Sequence, residues 1–401
     1  MPEESQKPKI LVVDDVSQDI RLLELSLEAE GYRAISAFSG REALEKVETE
    51  QPDLLLLDAM MPEIDGYEVC RRLRQSKQTE ALPVIMLTNC QQEVDKKIKA
   101  LDIGADDIIS KPFDRYELLL RVKSLLRVKR LYDEVVRSNQ RLGDELAMAR
   151  KVQKALLPRE YPDVPGLEFS HKYIPTLPVG GDFFDIREVS SGIVQVFVSD
   201  VMGHGPQAAM ITGIVKTLLT ELSSSLAGPG YLLSQINDRF HSLMTSSSLS
   251  IFVTAFCVVI DTVNSTYIYS NAGHPTPLLI QGRRIRVDEL TNEPGPALGM
   301  IPNTLYRDYA RGLESGDMFF FFTDGLQEPR NRDGVQFGTE ELQRAILSNM
   351  QLPPYSFVEA IMHSADVFSD GLGISDDITL LAVSYHRLQD ITEPQKHKKK
   401  E

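Results

Sequence analysis

A heptad repeat between Leu125 and Leu156 divides this chain of 401 residues into two parts. Its core positions recur at alternating steps of three and four, with mostly charged or polar residues between them, as in a coiled-coil helix. They are Leu125, Val128, Tyr132, Val135, Asn139, Leu142, Leu146, Ala149, Gln153 and Leu156. Because one hydrophobic core rarely organises a chain this long, we predict two domains joined by a helical linker over residues 123–157.

The apolar stripe of this helix can be covered in two ways. Asn139 at a core position favours a parallel two-stranded coil, in which it pairs with the same residue of a second copy. That interpretation predicts a parallel homodimer. Gly143 and Gln153 weaken the repeat, so an amphipathic helix packed on its own chain remains the alternative.

Composition restricts the class of protein. Hydrophobic residues make up 42% and charged residues 25% of the chain, which is typical of globular proteins. The net charge of -15 argues against non-specific binding to nucleic acid or anionic lipid, and residues 389–401 are predicted to be a basic, disordered tail. Cys70, Cys90 and Cys257 show neither disulfide nor zinc spacing. With no signal peptide in the polar start and no membrane-length apolar run, we expect a cytoplasmic protein.

Residues 9–122 alternate short apolar runs with helical patterns. The runs are Ile10–Val13, Ala34–Ala37, Leu54–Leu57, Val84–Leu87 and Ile108–Ile109. This alternation predicts a five-stranded parallel sheet, in which the residues after the strands converge at one edge. Those residues are Asp14, Asp15, Asp58, Thr88 and Lys111. Carboxylates suit Mg²⁺ and phosphoryl transfer, and a lysine can neutralise phosphoryl oxygens.

This stretch resembles a response-regulator receiver domain of the flavodoxin-like α/β class. The matching segments are Val12-Val13-Asp14-Asp15, Leu57 to Pro62, Asp65-Gly66, Leu87-Thr88, Gly104 to Asp107 and Lys111-Pro112-Phe113. The resemblance implies Asp58 as phosphoacceptor, with Asp14 and Asp15 holding Mg²⁺, Thr88 as switch hydroxyl and Lys111 as phosphoryl-binding cation. It also implies a sensor histidine kinase or phosphotransfer protein as partner. Ile108 stands where the family often has an aromatic residue, which puts the usual hydroxyl-to-aromatic coupling in doubt.

Residues 158–388 form a second predicted α/β domain with acids near its strand ends. These acids are Asp182, Asp185, Asp200, Asp324, Asp376 and Asp377. Oxygen ligands without a Cys or His cluster suit Mg²⁺ or Mn²⁺ rather than Zn²⁺. Two such ions can activate a shared water, so the natural reaction is hydrolysis of a phosphomonoester.

The second domain resembles the SpoIIE-like branch of the PPM (protein phosphatase 2C-like) serine/threonine phosphatases, which fold as an α/β sandwich. The matching segments are Ala149 to Pro158, Val179 to Asp185, Val198 to Gly205, Asn271 to Pro275, Pro296 to Gly299, Phe322 to Glu328 and Asp376 to Leu381. The resemblance implies two ions, with Asp200 bridging them. It places Asp182 and the Val201 carbonyl on one ion and Asp324 with Asp376 on the other, with Asp185 and Asp377 as second choices. His204 and His274 are interpreted as loop-holding residues.

Two functions remain in competition. The first is a receiver-controlled, metal-dependent phosphoprotein phosphatase; the resemblance implies a phosphorylated anti-sigma-factor antagonist as substrate. The second is a phosphatase-like adaptor that binds a regulatory partner without catalysis, against which the full set of acids argues. A cyclic-dinucleotide synthase loop at Gly180 to Phe184 is rejected, because that chemistry requires an acid where Phe183 stands.

Overall fold

The computed structural model describes residues 7–89, 100–223, 228–246, 251–290, 293–371 and 376–391. Two compact units make up the chain, Met1–Leu142 and Gly143–Glu401. The predicted domain boundaries stay a prediction, but the division between the units lies within the predicted linker. The last turns of that linker belong to the second unit.

The first unit is built on one parallel sheet. Its strands are β1 (Lys9–Val13), β2 (Arg33–Ala37), β3 (Leu54–Asp58), β4 (Val84–Thr88) and β5 (Asp107–Ser110), in the order β2-β1-β3-β4-β5. Helices α1 (Ser17–Ala29), α2 (Gly40–Glu50) and α3 (Gly66–Gln75) connect them. Strands β1, β3 and β4 are almost entirely buried because apolar clusters cover both faces of the sheet.

Local capping explains where two of these helices begin. The Ser39 hydroxyl accepts a hydrogen bond from Glu42 N at the start of α2. The Glu42 carboxylate accepts one from Phe38 N, one residue before the N-cap, in a variant of the capping box. The Asp65 carboxylate accepts a hydrogen bond from Glu68 N at the start of α3. The chain therefore enters α2 and α3 at points defined by the capping side chains.

Two antiparallel sheets form the second unit. The first sheet has the order β13-β10-β9-β8-β7 and the second β12-β11-β14-β15-β6. The strands are β6 (Leu167–Ile174), β7 (Asp182–Ser190), β8 (Ile193–Val201), β9 (Val253–Asp261), β10 (Thr266–Ala272), β11 (Leu278–Gln281), β12 (Arg286–Glu289), β13 (Tyr309–Gly312), β14 (Asp317–Phe322) and β15 (Ile378–Tyr385). One apolar cluster, with Phe256 and Phe321 near its centre, fills the space between the sheets.

Four helices cover the outer faces of the two sheets. Helices α5 (Pro206–Leu222) and α6 (Pro229–Ser246) pack on the first sheet, and α7 (Gly338–Asn349) and α8 (Pro354–Ser369) pack on the second. The result is a sandwich of two sheets between two helical layers, as the sequence predicts. A single turn, α9 (Leu388–Ile391), follows β15.

The helix α4 (Arg115–Leu156) is continuous over 42 residues, as the heptad repeat predicts. Its apolar stripe is not uniform. Leu125 packs against the core of the first unit, Leu156 lies beside Gly213 of α5, and Gln153 is buried in the second unit. Both ends of the stripe therefore pack on their own chain, as the alternative interpretation expects. The heptad core positions from Val128 to Leu142 are exposed.

The structure also bears on the predicted strands, the membrane-length helices, the cysteines and the basic tail. The five predicted strands of the first unit match the observed ones, and apolar runs in the sequence match β8, β9, β10, β14 and β15 of the second unit. The sequence does not predict β6, β7, β11, β12 and β13. No described helix is long and apolar enough to cross a membrane. Cys70 and Cys257 are buried free thiols, whereas Cys90 and most of the basic tail lie outside the described residues.

Candidate functional sites

The first site lies at the carboxyl ends of the parallel strands in the first unit. Asp14 directly follows β1, Asp58 is the last residue of β3, and Lys111 directly follows β5. The Lys111 Nζ lies 2.5 Å from Asp14 Oδ2 and 2.7 Å from Asp58 Oδ1. Both carboxylates are buried. The lysine therefore joins the two acids in one charged cluster.

The electrostatics of this cluster combine burial and charge. Burial raises the pKa of Asp58 and outweighs the opposing effect of Lys111. Burial alone would lower the pKa of Lys111, but hydrogen bonds to Asp14 and Asp58 raise it above its ordinary value. Lys111 also donates to Asp19 Oδ2 over 3.1 Å, and Met60 N donates to Asp58 Oδ2 over 2.8 Å. Lys111 is therefore a permanent cation beside Asp58, placed to neutralise added negative charge.

The other two predicted residues lie at the same edge of the sheet. Asp15 follows Asp14 and is exposed. Thr88 ends β4, one residue beyond the partner of Asp58 in the ladder, and its backbone oxygen accepts from Lys111 N over 2.7 Å. The buried Thr88 hydroxyl has no hydrogen-bond partner among the described residues. All five predicted residues therefore lie at one edge, and the contact with Asp19 is an addition that strand-end reasoning missed.

The second site forms where the facing sides of the two antiparallel sheets change from apolar to polar. Side chains alternate between the faces of a strand, so every second residue points between the sheets. Going toward the site, the inward positions are Val196, Val198 and Asp200 on β8, Phe319, Phe321 and Thr323 on and after β14, and Val383, Leu381 and Thr379 on β15. Polar side chains thus meet at one end of the sandwich.

Asp182 links the two sheets at this end. It begins β7 and is paired in register with Asp200 on β8. Its Oδ2 accepts hydrogen bonds from Thr323 Oγ1 over 2.8 Å and from Thr379 Oγ1 over 2.7 Å, both in the opposite sheet. The Asp182 carboxylate is therefore fixed in place beside Asp200. Sequence reasoning placed Asp182 here but assigned no role to the two threonines of Thr-Asp-Gly and Asp-Asp-Ile-Thr.

The acids raise one another's pKa values. Burial raises the pKa of Asp182 well above its ordinary range, and Asp200 adds to the effect. Burial raises the pKa of Asp200 to about 7, with further contributions from Asp324 and Asp376. Partial burial raises the pKa of Asp324, and the negative charge of Asp376 adds to the rise. The residue nevertheless keeps an exposed surface. This concentration of negative charge favours binding of cations.

Asp377 holds the loop that precedes β7. Its Oδ1 accepts from Thr176 N over 2.8 Å, and its Oδ2 accepts from Gly181 N over 2.6 Å. Burial raises the pKa of Asp377, against the effect of these two backbone donors. Because both oxygens are engaged with backbone, we assign Asp377 to the support of the loop rather than to the ligand set.

Gly181 faces a group of oxygen atoms. A Cβ added to it would lie 2.8 Å from the Val201 carbonyl oxygen, 3.0 Å from the Gly203 carbonyl oxygen and 3.3 Å from Asp200 Oδ1. In the described part of the chain, no three acidic, His or Cys side chains are close enough to hold an ion as they stand. The donor chemistry nevertheless fits Mg²⁺ or Mn²⁺, because carboxylate and carbonyl oxygens converge where the acids repel one another.

Asp185 is the one predicted acid that is held apart. It lies three residues beyond Asp182 on β7, so it points to the opposite face of the strand. There it forms ion pairs with Arg187 and with Lys216 of α5, the latter over 2.9 Å. Its charge is compensated by these cations, and we leave it out of the ligand set.

The two histidines have different surroundings. His274 is buried, and burial lowers its pKa to about 3, so its imidazole is neutral at physiological pH. Its Nδ1 lies 3.0 Å from Thr254 Oγ1, and its backbone N and O both bond the Asn271 side chain. This agrees with a loop-holding role. His204 is exposed, in the loop between β8 and α5.

Known families match both units. The family model of the response regulator receiver domain matches residues 10–123, and that of stage II sporulation protein E (SpoIIE) matches residues 190–386. The SiaA-PP2C domain of Pseudomonas aeruginosa aligns with a TM-score of 0.55 at 22% identity, over 62% of this chain and 98% of that domain, which shows the fold of the second unit.

Two curated proteins resemble the first unit. The alkaline phosphatase synthesis transcriptional regulatory protein PhoP of Bacillus subtilis is 50% identical over 119 residues, which is 30% of this chain and 48% of PhoP. The phosphate regulon transcriptional regulatory protein PhoB of Rhizobium meliloti is 45% identical over 137 residues, 34% of this chain and 59% of PhoB. This chain thus spans about half the length of these relatives. The chain therefore carries a response-regulator receiver domain over residues 10–123, followed by a domain that matches SpoIIE over residues 190–386 and has the PP2C fold.

Proposed function

We propose that this protein is a metal-dependent phosphoprotein phosphatase whose activity depends on phosphorylation of Asp58. One observation carries the proposal: acids from both antiparallel sheets meet at one end of the sandwich beside an oxygen-lined cradle, with the pKa of Asp200 raised to about 7. Such a cluster is costly to keep unless cations bind it. The substrate class is a phosphoserine or phosphothreonine protein.

Each residue of the acid cluster in the second unit has a proposed role. Asp182, Asp200, Asp324 and Asp376, together with the Val201 carbonyl, would hold the metal ions through their oxygen atoms. When bound, such ions would supply an activated water and would offset charge on the phosphoryl oxygens. Thr323 and Thr379 hold Asp182 through their hydroxyl groups. Asp182 therefore keeps a fixed position at the edge of the site.

The first unit supplies the input. Asp58 is the proposed phosphoacceptor, Asp14 and Asp15 are the proposed Mg²⁺ acids, and Lys111 is the proposed cation that contacts the phosphoryl oxygens. The hydroxyl of Thr88, which has no hydrogen-bond partner among the described residues, is a candidate donor to the same group. A sensor histidine kinase or phosphotransfer protein is the proposed phosphoryl donor, because the receiver match extends over this whole site.

A phosphorylated anti-sigma-factor antagonist is the proposed substrate. The support is the SpoIIE match over residues 190–386 together with the motifs that resemble that branch of phosphatases. The exposed position of Asp324, at the open side of the acid cluster, leaves room for a phosphorylated side chain carried on a folded protein.

A parallel homodimer is proposed for the exposed middle of α4. Val128, Tyr132, Val135 and Leu142 are between 50% and 59% exposed and follow the heptad spacing. A second copy in register would bury this stripe and pair Asn139 with its equivalent. The dimer therefore involves the segment from Val128 to Leu142, not the whole repeat.

Substitution of a proposed ligand tests the enzyme. Asp324→Asn should reduce the rate of Mn²⁺-dependent hydrolysis of an aryl phosphate. The loss should exceed the roughly 10–100-fold that is typical when a residue that only orients a metal ligand is replaced. Asp333→Asn, on an exposed turn of the same unit, removes the same formal charge and should leave the rate unchanged. Equal rates in chelator and Mn²⁺, or full activity of Asp324→Asn, would exclude this mechanism and favour the adaptor that binds a partner without catalysis.

A further inference from the structure

Gln153 contacts the loop beside the acid cluster through both ends of its amide. The Gln153 Nε2 donates to the Gly180 carbonyl oxygen over 2.6 Å, and Gly180 N donates to Gln153 Oε1 over 3.1 Å. Gln153 is only 6% exposed and lies in the last turns of α4, within the second unit. Two antiparallel hydrogen bonds to one residue fix both the position and the orientation of that peptide segment.

The segment that Gln153 holds, Gly180 and Gly181, borders the proposed metal site. Gly180 is followed by Gly181, whose N donates to Asp377 and whose missing Cβ faces the Val201 carbonyl oxygen. A Cβ on Gly180 would lie 2.2 Å from Asp377 Oδ2. The segment is therefore packed closely against Asp377 and the Val201 carbonyl, with no room for a side chain. A shift of Gly180 would move Gly181 and the start of β7 as well.

We propose that Gln153 is a positioning residue that sets the geometry of the metal-binding oxygens. By holding Gly180, it keeps Gly181 against Asp377 and beside the Val201 carbonyl, and it keeps Asp182 aligned with Asp200. The inference rests on the proposed function, because it concerns the same metal site. It assigns to the end of α4 a role in metal affinity that is separate from substrate binding.

The position of Gln153 in the heptad repeat supports this assignment. A polar residue at a core position of a heptad repeat weakens a coiled coil. Among the heptad core positions that lie in the second unit, Gln153 is the most buried. Its neighbours Val152 and Lys154 are exposed. The glutamine thus satisfies two buried backbone groups of the loop that an apolar residue would leave without partners.

The test replaces Gln153 by a residue of similar shape that cannot form either hydrogen bond. In the full chain, Gln153→Met should weaken Mn²⁺ binding, measured by titration calorimetry, by about tenfold or more, as expected for a residue that orients ligands. At saturating Mn²⁺, kcat should return close to the wild-type value. Lys154→Met, on the exposed side of the same helical turn, is the matched control and should bind Mn²⁺ like wild type.

A second readout needs no metal. The amides of Gly180 and Gly181 should exchange with deuterium about tenfold faster in metal-free Gln153→Met than in Lys154→Met, because the loop has lost its anchor. If Gln153→Met does not fold, Gln153→Glu answers the same question, since it keeps the shape but cannot donate to the Gly180 carbonyl.

The outcomes separate this inference from the proposed function. If wild type binds and uses Mn²⁺ but Gln153→Met and Gln153→Glu bind it equally well, Gln153 is not a positioning residue. A loss of kcat at saturating Mn²⁺ with unchanged affinity would also overturn the inference. If wild type itself neither binds Mn²⁺ nor hydrolyses a phosphate ester, the proposed function fails instead.

Discussion

Removal of one carboxylate from the acid cluster should stabilise the metal-free protein while abolishing activity. The pKa of Asp200 rises from its ordinary 3.8 to about 7, first through burial and then through Asp324 and Asp376. Because unfolding releases this carboxyl to its ordinary pKa, ionised Asp200 destabilises the folded state. At about 1.4 kcal/mol per pH unit, the full rise corresponds to about 4 kcal/mol. Asp200→Asn keeps the size of the side chain and removes its charge.

The expected gain is smaller than the full value, because a buried amide still loses contact with water. We expect Asp200→Asn to raise the free energy of unfolding of the metal-free second unit by about 2 kcal/mol. The gain should be complete above pH 7 and should disappear as the pH falls toward 3.8, since protonation then neutralises Asp200 in wild type.

Urea unfolding in chelator at several pH values measures this effect, with the transition of the second unit followed separately. Asp333→Asn removes an exposed charge and should change the unfolding free energy by less than about 0.5 kcal/mol. If Asp200→Asn is destabilising at pH 8, or if its effect does not depend on pH, the acids do not repel one another as described.

Three further predictions concern the first unit and the connecting helix. Asp58→Asn should not incorporate phosphate from acetyl phosphate and Mg²⁺, whereas Asp102→Asn should be labelled like wild type; equal labelling of Asp58→Asn would mean another acceptor. Four residues inserted at Gly143 would rotate the following part of the helix by about 40° and advance it by about 6 Å. Labelling of Asp58 and basal hydrolysis should persist, but phosphorylation should no longer change the rate of hydrolysis. If phosphorylation still changes the rate, the helix only connects the two domains and does not couple them. Val135→Lys should shift sedimentation toward the monomer, and Ser138→Lys, off the stripe, should not; a dimer that tolerates Val135→Lys would refute the proposed interface.

Most of the residues predicted for the two sites lie at or next to the ends of strands. In a parallel sheet all carboxyl ends lie at one edge, so Asp14, Asp58 and Lys111 had to come together once the strands were recognised. In the antiparallel sheets the same logic applies to inward-facing positions. Asp200 follows two inward valines on β8, whereas its meeting with Asp182 depends on the pairing of β8 with β7, a strand that the sequence does not predict.

Contacts between distant segments could not be predicted in this way. Gln153 interrupts an apolar repeat, and nothing in the local pattern indicates that its partner is Gly180. Strands β11, β12 and β13 have four residues each, too few for a clear alternation. The separation of Asp185 from the cluster did have a signal, because a spacing of three on a strand places it opposite Asp182.

The proposed function is tested most directly by the hydrolysis of an aryl phosphate by one sample of the full chain in Mn²⁺, measured before and after treatment with acetyl phosphate. We expect that the rate depends on Mn²⁺, changes after treatment of wild type, and does not change after treatment of Asp58→Asn. A rate that is the same in chelator, or a change that persists in Asp58→Asn, would contradict a phosphatase controlled by phosphorylation of this residue.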